Sequence, residues 1–255
     1  MLLAIDIGNT NIAIGLHRAG TWAYHWRVQT VVDRMPDEYA VLVHDLLRVE
    51  KLPLEAVERA VLSSVVPPLT ATVAEVVGRL FSLDPLVVGP GVRTGIRIRT
   101  DNPTEVGADL VANAVAAYER FRTNCIAIDF GTALTFTAIR EPGDLLGVAI
   151  APGLAVAAEA LAHHTAQLCS VQLLPPPASI GRNTIHSIQS GVVLGYGGLV
   201  ETLVTRMQQE LGGAAEVIAT GGTASLVAPL VKRIDHVDPW LTLEGLRIIA
   251  DRNAA

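Results

Sequence analysis

Two stretches of the chain share one pattern of apolar and polar positions. Each has an apolar run, then Asp, one apolar residue, Gly and small residues, at residues 2–10 and again at 125–133. A second apolar run follows each stretch, at residues 12–16 and 134–139. An apolar run, a glycine turn and a returning apolar run predict a strand, a tight loop and an antiparallel strand. The repeat therefore predicts two similar α/β domains, which we place at residues 1–115 and 116–255.

Strands and helices are predicted to alternate after each repeat. Further strands are expected at residues 22–28, 60–63, 86–88, 144–150 and 216–219. Helices are expected at 36–48, from 67 onward, and at 102–120, 153–168, 184–211, 222–231 and 241–252. Asn102 and Asn183 each precede a helical pattern and are predicted to be N-caps. Trp22, Tyr24 and Trp26 alternate, so they are expected on one face of their strand.

Composition and charge narrow the class of protein. Half of the residues are hydrophobic and 17% are charged, which is enough apolar material for two cores. The net charge of −6 argues against nucleic acid or an anionic membrane as the main partner. No apolar stretch reaches the length of a membrane span, and no basic segment precedes the first strand. Cys125 and Cys169 are too few for a disulfide framework, so a cytoplasmic protein is expected.

The two aspartate loops have the chemistry of a polyphosphate site. Gly lets backbone amides approach a phosphate, and Asn and Thr side chains add donors. Asp6 and Asp129 end their strands, where a carboxylate can hold a hydrated cation. Two such loops in register predict a nucleotide clamp with the polyphosphate between the two halves.

Asp109 is the candidate base. It follows Gly107 and Ala108, which would give a substrate close access, and it is expected two turns into the helix that Asn102 caps. Glu105, Asp109 and Asn113 are four residues apart and would share one helix face. The alternative interpretation is that Asp109 lies on an ordinary solvated face. The histidines predict no metal site, because the adjacent His163 and His164 point about 100° apart on a helix.

This order of elements, given twice, resembles the duplicated ribonuclease-H-like domains of the actin, sugar-kinase and heat-shock ATPase superfamily, with the nucleotide in the cleft between the domains. The individual motifs resemble type III pantothenate kinase over residues 2 to about 225. They are residues 6–10, 64–67, 102–103, 107–109, 129–133, 151–153, 165–166, 181, 183–184 and 220–222. The resemblance implies transfer of the ATP γ-phosphate to pantothenate, the first step of coenzyme A biosynthesis. It also implies Mg²⁺, a monovalent cation (K⁺ or NH₄⁺) and a homodimer.

The resemblance also implies roles for single residues. Asp109 would be the base, Asp129 would hold the monovalent cation, Asp6 would take part in metal binding, and Thr184 would contact pantothenate. The acceptor site would include Thr100, Gly107, Ala108, Asp109 and Leu110. ATP would be bound by Asp6, Ile7, Gly8, Asn9, Thr10, Asn11, Ile12, Ala13 and Thr132.

Two positions depart from the family pattern. Leu110 stands where the family usually has Arg, and Thr100 where it often has Tyr. An Arg fork recognises a carboxylate through paired charge-assisted bonds, which Leu cannot replace. Arg93, Arg97 and Arg99 lie upstream and could take over this contact. The hypotheses are therefore an active pantothenate kinase, a non-catalytic or regulatory paralogue with an impaired acceptor site, or a kinase for another small acceptor.

Overall fold

The computed structural model describes residues 1–254, which form two compact units. The first unit comprises residues 1–96, 102–116 and the chain from 241 onward, and the second comprises 97–101 and 117–240. This division differs from the one proposed from the sequence at two places. Residues 97–101 join the second unit, and the C-terminal helix joins the first.

The first unit contains a five-stranded sheet in the order β3-β2-β1-β4-β5. Its strands are β1 (Leu2–Ile7), β2 (Asn11–Arg18), β3 (Thr21–Gln29), β4 (Arg59–Ser64) and β5 (Leu86–Val87). The β1–β2 and β2–β3 pairs are antiparallel, whereas β4 pairs in parallel with β1 and with β5. Its helices are α1 (Pro36–Val49), α2 (Pro67–Phe81), α3 (Ala108–Phe121), which continues into the second unit after Ala116, and the C-terminal helix from Leu241 to Arg252.

Strand β1 of the first sheet is buried on both faces. Leu3, Ile5 and Ile7 of β1 share a core with α1 and α2, which contribute apolar residues such as Val43 and Val73. The intervening Leu2 and Ala4 are also buried, on the face that the C-terminal helix covers. A strand that is buried on both faces has a continuous apolar sequence rather than an alternating one, as β1 does.

The second unit repeats this strand order and adds one strand. The order is β11-β10-β7-β8-β9-β6. The added strand is β6 (Arg97–Ile98), which pairs in parallel with β9. The others are β7 (Cys125–Phe130), β8 (Ala133–Arg140), β9 (Asp144–Pro152), β10 (Glu216–Thr220) and β11 (His236–Val237). The β9-β8-β7-β10-β11 part has the same order and directions as the first sheet. The duplicated α/β fold is thereby confirmed.

The helices of the second unit are α4 (Leu154–His164), α5 (Thr184–Gln189), α6 (Gly195–Glu210) and α7 (Ala224–Val227). The C-terminal helix, Leu241–Arg252, is α8. A π-helical turn at Ser190–Leu194 separates α5 from α6, so the long helix predicted at 184–211 is irregular. Asn183 caps α5 as predicted, since its Oδ1 accepts the His186 N–H at 2.8 Å. Within residues 1–254, no helix is long and apolar enough to cross a membrane.

The prediction that Trp22, Tyr24 and Trp26 share one face is wrong. The β2–β3 register shifts between Leu16 and His17, because Leu16 pairs with Tyr24 but His17 pairs with Trp22. Ala23 is therefore the extra residue of a β-bulge, which turns Trp22 to the other face of the sheet. Tyr24 and Trp26 stack on each other and pack on the α1–α2 core, whereas Trp22 lies against α8.

Candidate active site

The loop between β1 and β2 is held in shape by main-chain and side-chain hydrogen bonds. The Gly8 N–H donates to the Asn11 carbonyl at 3.0 Å, and the Thr30 hydroxyl donates to the Gly8 carbonyl at 2.7 Å. The Thr30 N–H donates to the Thr10 carbonyl at 3.0 Å. The loop residues Asn9, Thr10 and Asn11 are exposed. The loop therefore presents short polar residues on a fixed backbone, as phosphate binding requires.

Not every residue predicted to bind ATP offers its side chain to a ligand. Ile7 and Ile12 are buried in the core of the first unit. The side chains of Ile7 and Ile12 fix the two strands, and the backbone of both residues is paired within the sheet. Ala13 pairs with Asp6 across β1 and β2, and it is half-buried.

Asp6 lies at the end of β1, beside a buried serine that sequence reasoning missed. In the parallel β1–β4 register Asp6 is opposite Ser63, whose hydroxyl donates to the Asp6 carboxylate. Ser63 is fully buried. A polar residue inside the apolar β4 pattern was the available signal, because a buried hydroxyl needs a partner. Thr30, which braces the loop, gave no comparable signal.

Asp109 is connected to the end of β1 within the first unit through Gly107 and Val65. It is the second residue of α3, and its neighbour Gly107 is packed against Val65. A Cβ on Gly107 would lie 2.5 Å from the Asp109 Oδ1 and 3.4 Å from the Val65 Cγ1. The Val65 N–H in turn donates to the Ile7 carbonyl at 3.0 Å. Two residues, Gly107 and Val65, thus separate the candidate base from the end of β1.

The environment of Asp109 suits a base. Burial raises the pKa of its carboxyl above the usual value, and the backbone N–H groups of Leu110 and Asp109 partly oppose this shift. The Leu110 N–H donates to the Asp109 Oδ1 at 2.8 Å. A carboxylate with a raised pKa accepts a proton more readily than an exposed one. The side chain is only half-buried, so a ligand can reach it.

The predicted position of Asp109 in its helix is wrong. Pro103–Glu105 forms a separate 3₁₀ turn and α3 begins at Ala108, so Asp109 lies in the first turn rather than two turns in. Asn102 does not cap α3, because its amide donates to the Glu105 carboxylate at 2.7 Å. Asn113 does not share a solvated face with Glu105, since Asn113 is buried and accepts the Thr242 hydroxyl at 2.8 Å.

The two positions that depart from the family pattern are both largely buried. Leu110 is 9% exposed and packs in the first unit. The Thr100 hydroxyl is buried and has no hydrogen-bond partner among the residues that the structure describes. A buried hydroxyl without a partner costs roughly 1–3 kcal/mol, so a ligand or water that bonds it would be favoured.

Two of the three upstream arginines are already paired. The Nε atoms of Arg97 and Arg99 donate to the Asp144 Oδ1 at 2.6 Å and 3.3 Å. Burial alone would raise the pKa of Asp144, but the two guanidinium groups outweigh it and hold that pKa below the usual value. Arg97 and Arg99 therefore have a partner in the second unit, which weakens their candidacy as replacements for an arginine at position 110.

The second aspartate loop has the same construction as the first. The Gly131 N–H closes the turn on the Ala133 carbonyl at 3.1 Å, and the Gly153 N–H donates to the Thr132 carbonyl at 2.9 Å. Asp129 pairs with Thr220 in the parallel register of β7 and β10. Thr132 is exposed. The loop thus combines a strand-end carboxylate with an exposed hydroxyl.

The Thr220-Gly221-Gly222 turn packs directly on this loop. Gly221 has φ +95°, and a Cβ there would lie 2.5 Å from the Asp129 Oδ1 and 2.6 Å from the Phe130 backbone. The Thr223 hydroxyl donates to the Phe130 carbonyl at 3.4 Å. Only glycine allows both this backbone conformation and so close an approach.

Thr184 lies in a cavity of about 710 Å³ within the second unit. The cavity is lined by Leu161, Leu168, Gly181, Arg182, Asn183, Thr184, Ser187, Ile188, Gly191, Val192 and Tyr196. The Tyr196 hydroxyl donates to the Pro152 carbonyl at 2.7 Å, and burial raises the pKa of this phenol. Sequence reasoning identified Thr184 but not the cavity, which needs α4, α5 and the π turn together.

Few groups in the described part of the chain could hold a transition metal. No cluster of three or more His, Cys, Asp or Glu side chains with a suitable arrangement occurs in residues 1–254. Both cysteines are free thiols, and burial raises the pKa of Cys125 to about 12. Asp6 instead lies beside the Ser63 hydroxyl, and Asp129 is opposite Thr220 in the parallel register. Oxygen donors suit hard cations such as Mg²⁺ and K⁺.

Solved structures with the same fold identify the class. The inorganic polyphosphate/ATP-glucomannokinase from Arthrobacter sp. has a TM-score of 0.52 at 15% identity, with 99% of each chain covered. The (R)-2-hydroxyglutaryl-CoA dehydratase component A from Acidaminococcus fermentans has a TM-score of 0.55 at 14% identity, covering 99% of this chain and 96% of that one. The protein therefore has the duplicated ribonuclease-H-like α/β fold that the sequence predicts.

Sequence relatives identify the family. The model of the family "type III pantothenate kinase" matches residues 2–206. The type III pantothenate kinases of Geobacter sulfurreducens and Anaeromyxobacter sp. are 49% and 50% identical over 253 residues. These alignments cover 99% of this chain and 99% or more of each relative. The chain belongs to the type III pantothenate kinase family.

Proposed function

We propose that this protein transfers the γ-phosphate of ATP to the terminal hydroxyl of pantothenate. The observation that carries the proposal is Asp109, a half-buried carboxylate with a raised pKa, which is connected through Gly107 and Val65 to the strand that ends at the first aspartate loop, in a chain of this family. Both aspartate loops also have their strand-end Asp, their Gly and an exposed hydroxyl residue. The product, 4′-phosphopantothenate, would make this the first step of coenzyme A biosynthesis, carried out in the cytoplasm.

Phosphate binding and proton transfer are carried out by different residues of the chain. Backbone and side-chain groups of residues 6–13, chiefly in the exposed Asn9, Thr10 and Asn11, bind the ATP phosphates together with the hydroxyl of Thr132 and hold them for attack. Asp109 accepts the proton of the acceptor hydroxyl as its oxygen bonds to the γ-phosphorus. The bond from that phosphorus to the β–γ bridging oxygen breaks, ADP leaves with the electron pair, and Asp109 passes its proton to solvent.

Two cations fit the carboxylates of the loops. Asp6, beside the Ser63 hydroxyl, would take part in holding Mg²⁺ with ATP, and Asp129, beside Thr220, would hold K⁺ or NH₄⁺. These ions supply positive charge that offsets the charge on the phosphate oxygens. The protein's part is to keep the two carboxylates at fixed strand ends.

The acceptor would be bound by Thr100, Gly107, Ala108, Asp109, Leu110 and Thr184. Gly107 and Ala108 leave room next to the base, and the unpaired Thr100 hydroxyl offers a hydrogen bond to a ligand. Leu110 can supply only apolar contact. The charge of the acceptor must therefore be recognised elsewhere.

The protein would act as a homodimer, with no nucleic acid or membrane as partner. The second unit exposes apolar side chains on the consecutive segments that form β9, α4, the loop after α4 and α5. They are Ile150, Val156, Leu161, Leu174, Ile180 and Ile185. A group of this kind is typical of a surface that another protein covers, and a second copy of the chain is the partner we propose.

The decisive experiment is ADP release by the purified protein in Mg²⁺ and K⁺ buffer, with and without pantothenate. We expect release that depends on pantothenate, and a product in which the pantothenate hydroxyl carries the phosphate. Release that is equal without pantothenate would indicate another acceptor or a simple ATPase. No release with either would indicate the non-catalytic paralogue, and either result would refute the proposal.

A further inference from the structure

The cavity of the second unit contains one charged side chain, and that side chain is positive. Of the eleven lining residues only Arg182 carries a formal charge, and none is acidic. Within residues 1–254, Arg182 has no ion pair, hydrogen bond or ring contact, whereas Arg97 and Arg99 are held by Asp144. The guanidinium is exposed and keeps its donors available for a ligand.

The backbone that carries Arg182 is fixed on both sides. Before it, the Ser190 hydroxyl donates to the Ser179 carbonyl at 2.6 Å, and Gly181 packs so closely on Ser187 that a Cβ would lie 2.5 Å from the Ser187 Cα. After it, Asn183 caps α5. These contacts fix the backbone at Arg182, so the side chain is attached at a defined position on the rim of the cavity.

The rest of the lining indicates the shape and chemistry of the ligand. Leu161, Leu168, Ile188 and Val192 provide an aliphatic wall, and Thr184 and Ser187 provide hydroxyls. A volume of about 710 Å³ is in the usual range for a small organic ligand. The combination fits a molecule with a branched aliphatic part, hydroxyl or amide groups and one anionic end.

We propose that Arg182 binds the carboxylate of the acceptor and thereby selects the acid over its uncharged analogues. The proposal rests on the proposed function, because pantothenate has an aliphatic centre, two hydroxyls, an amide and a single carboxylate. Arg182 is a specificity-determining residue in this view, and the proton transfer stays with Asp109.

The test compares two acceptors that differ only at the charged end. Pantothenol has a CH₂OH group in place of the pantothenate carboxylate. The affinities of both are measured by titration calorimetry, and their KM and kcat values at saturating ATP. The proteins are the wild type, Arg182→Gln, Arg182→Lys and the control Arg206→Gln, which removes an exposed charge from α6 outside the cavity.

We expect the wild type to prefer pantothenate, and Arg182→Gln to weaken pantothenate binding about 10- to 100-fold while pantothenol changes little. Arg182→Lys should lie between the two, because Lys keeps the charge and loses the paired donors. kcat and the KM for ATP should stay near the wild-type values, and Arg206→Gln should match the wild type.

Three results would overturn the proposal: no preference for pantothenate in the wild type, a preference that survives in Arg182→Gln, or an equal loss for both acceptors. If pantothenol binds too weakly to measure, the pantothenate affinity of Arg182→Gln is the test: a loss supports the proposal, and a wild-type affinity overturns it. A wild type that does not phosphorylate pantothenate at all would refute the proposed function instead, so the two failures are distinguishable.

Discussion

At the scale of single residues, the proposed chemistry assigns different roles to carboxylates whose surroundings differ. Asp109 is partly withdrawn from water, and burial raises its pKa. Asp6 accepts a hydrogen bond from the buried Ser63, and Asp129 lies against Gly221. The same side chain can thus act as a base at one position and as a cation ligand at the others.

We predict that Asp109→Asn lowers turnover about 100-fold or more, because it removes the base and keeps the shape. It should also stabilise the fold near neutral pH. The pKa of Asp109 is raised in the folded state, so its favourable contribution is complete below the unfolded-state pKa and is lost as pH rises through the folded-state pKa. The amide has no such loss, and the advantage of the variant should grow with pH.

Steady-state kinetics and urea unfolding at several pH values test both parts. Asp84→Asn, which changes an exposed carboxylate in the first unit, serves as the control. Asp109 is not the base if Asp109→Asn keeps more than about a tenth of wild-type turnover.

Asp129→Ala is predicted to blunt activation by K⁺. The loop around Asp129 is fixed by Gly131, Gly153 and Gly221, so the variant should remove an ion ligand and leave the backbone in place. The measurement is turnover against K⁺ concentration, with Glu210→Ala on the exposed end of α6 as the control. An unchanged K⁺ curve would leave Asp129 with a structural role only.

At the scale of elements, α8 is tied to the first sheet and to α3 by polar contacts. The Trp22 indole N–H donates to the Glu244 carboxylate at 3.0 Å, and Arg59 pairs with Asp251 at 2.9 Å. Gly245 lies so close to the Ala112 carbonyl of α3 that no larger residue would fit without movement. These contacts fix the helix against the face of β1 that is opposite the α1–α2 core.

We predict that Trp22→Phe destabilises the protein by roughly 1–2 kcal/mol at neutral pH, because a hydrogen bond to a charged group is lost. Burial opposes ionisation of Glu244, but Arg247 and Trp22 hold its pKa below the usual value. The stability from this carboxylate is present above its unfolded-state pKa and lost as pH falls through the folded-state pKa. The cost of Trp22→Phe should therefore shrink at acid pH.

Denaturant unfolding at neutral and acid pH provides the measurement. Trp26→Phe is the matched control, since Trp26 stacks on Tyr24 on the other side of the sheet. If both variants lose the same free energy of unfolding at both pH values, the loss comes from the smaller buried apolar area of Phe and not from the hydrogen bond to Glu244.

The elements also show how far the sequence could be interpreted. The repeated aspartate loops and their flanking apolar runs correctly predicted the central hairpins of both sheets. The bulge at Ala23 was not predictable, because an extra residue in one strand changes pairing with its neighbour and leaves no mark in its own sequence. The 3₁₀ turn at Pro103–Glu105 imitates a helix start, since Asn, Pro and Glu occur in both.

At the scale of the whole molecule, we predict that the exposed apolar residues of the second unit form the homodimer contact. Ile180 is 83% exposed. Ile180→Lys should convert the dimer to a monomer, because a charge would have to be desolvated at the contact. Light scattering after size-exclusion chromatography gives the mass.

Met35→Lys is the control, because Met35 is 64% exposed in the first unit. A monomeric wild-type protein, or a dimer that both variants leave intact, would show that this surface is not a homodimer contact.

The membership of the two units could not be derived from the repeat alone. The repeat marks where equivalent strands begin, but not where a segment between them packs. Residues 97–98 extend the second sheet beyond β9, and α8 covers the first sheet, although a division at residue 115 assigns each to the other unit. Such long-range packing depends on which exposed strand edge or sheet face is left uncovered, which a linear pattern does not record.

The assignment of α8 to the first unit has a consequence for the order in which the protein is completed on the ribosome. Domains usually fold during synthesis from the N-terminus onward. Here all segments of the second unit have been synthesised by residue 240, while the first unit still lacks residues 241–252. The face of β1 that includes Leu2 and Ala4 stays uncovered until those residues emerge. The first unit is therefore begun before the second unit but completed after it, and the first aspartate loop is carried on a sheet with one face uncovered until residues 241–252 have been synthesised.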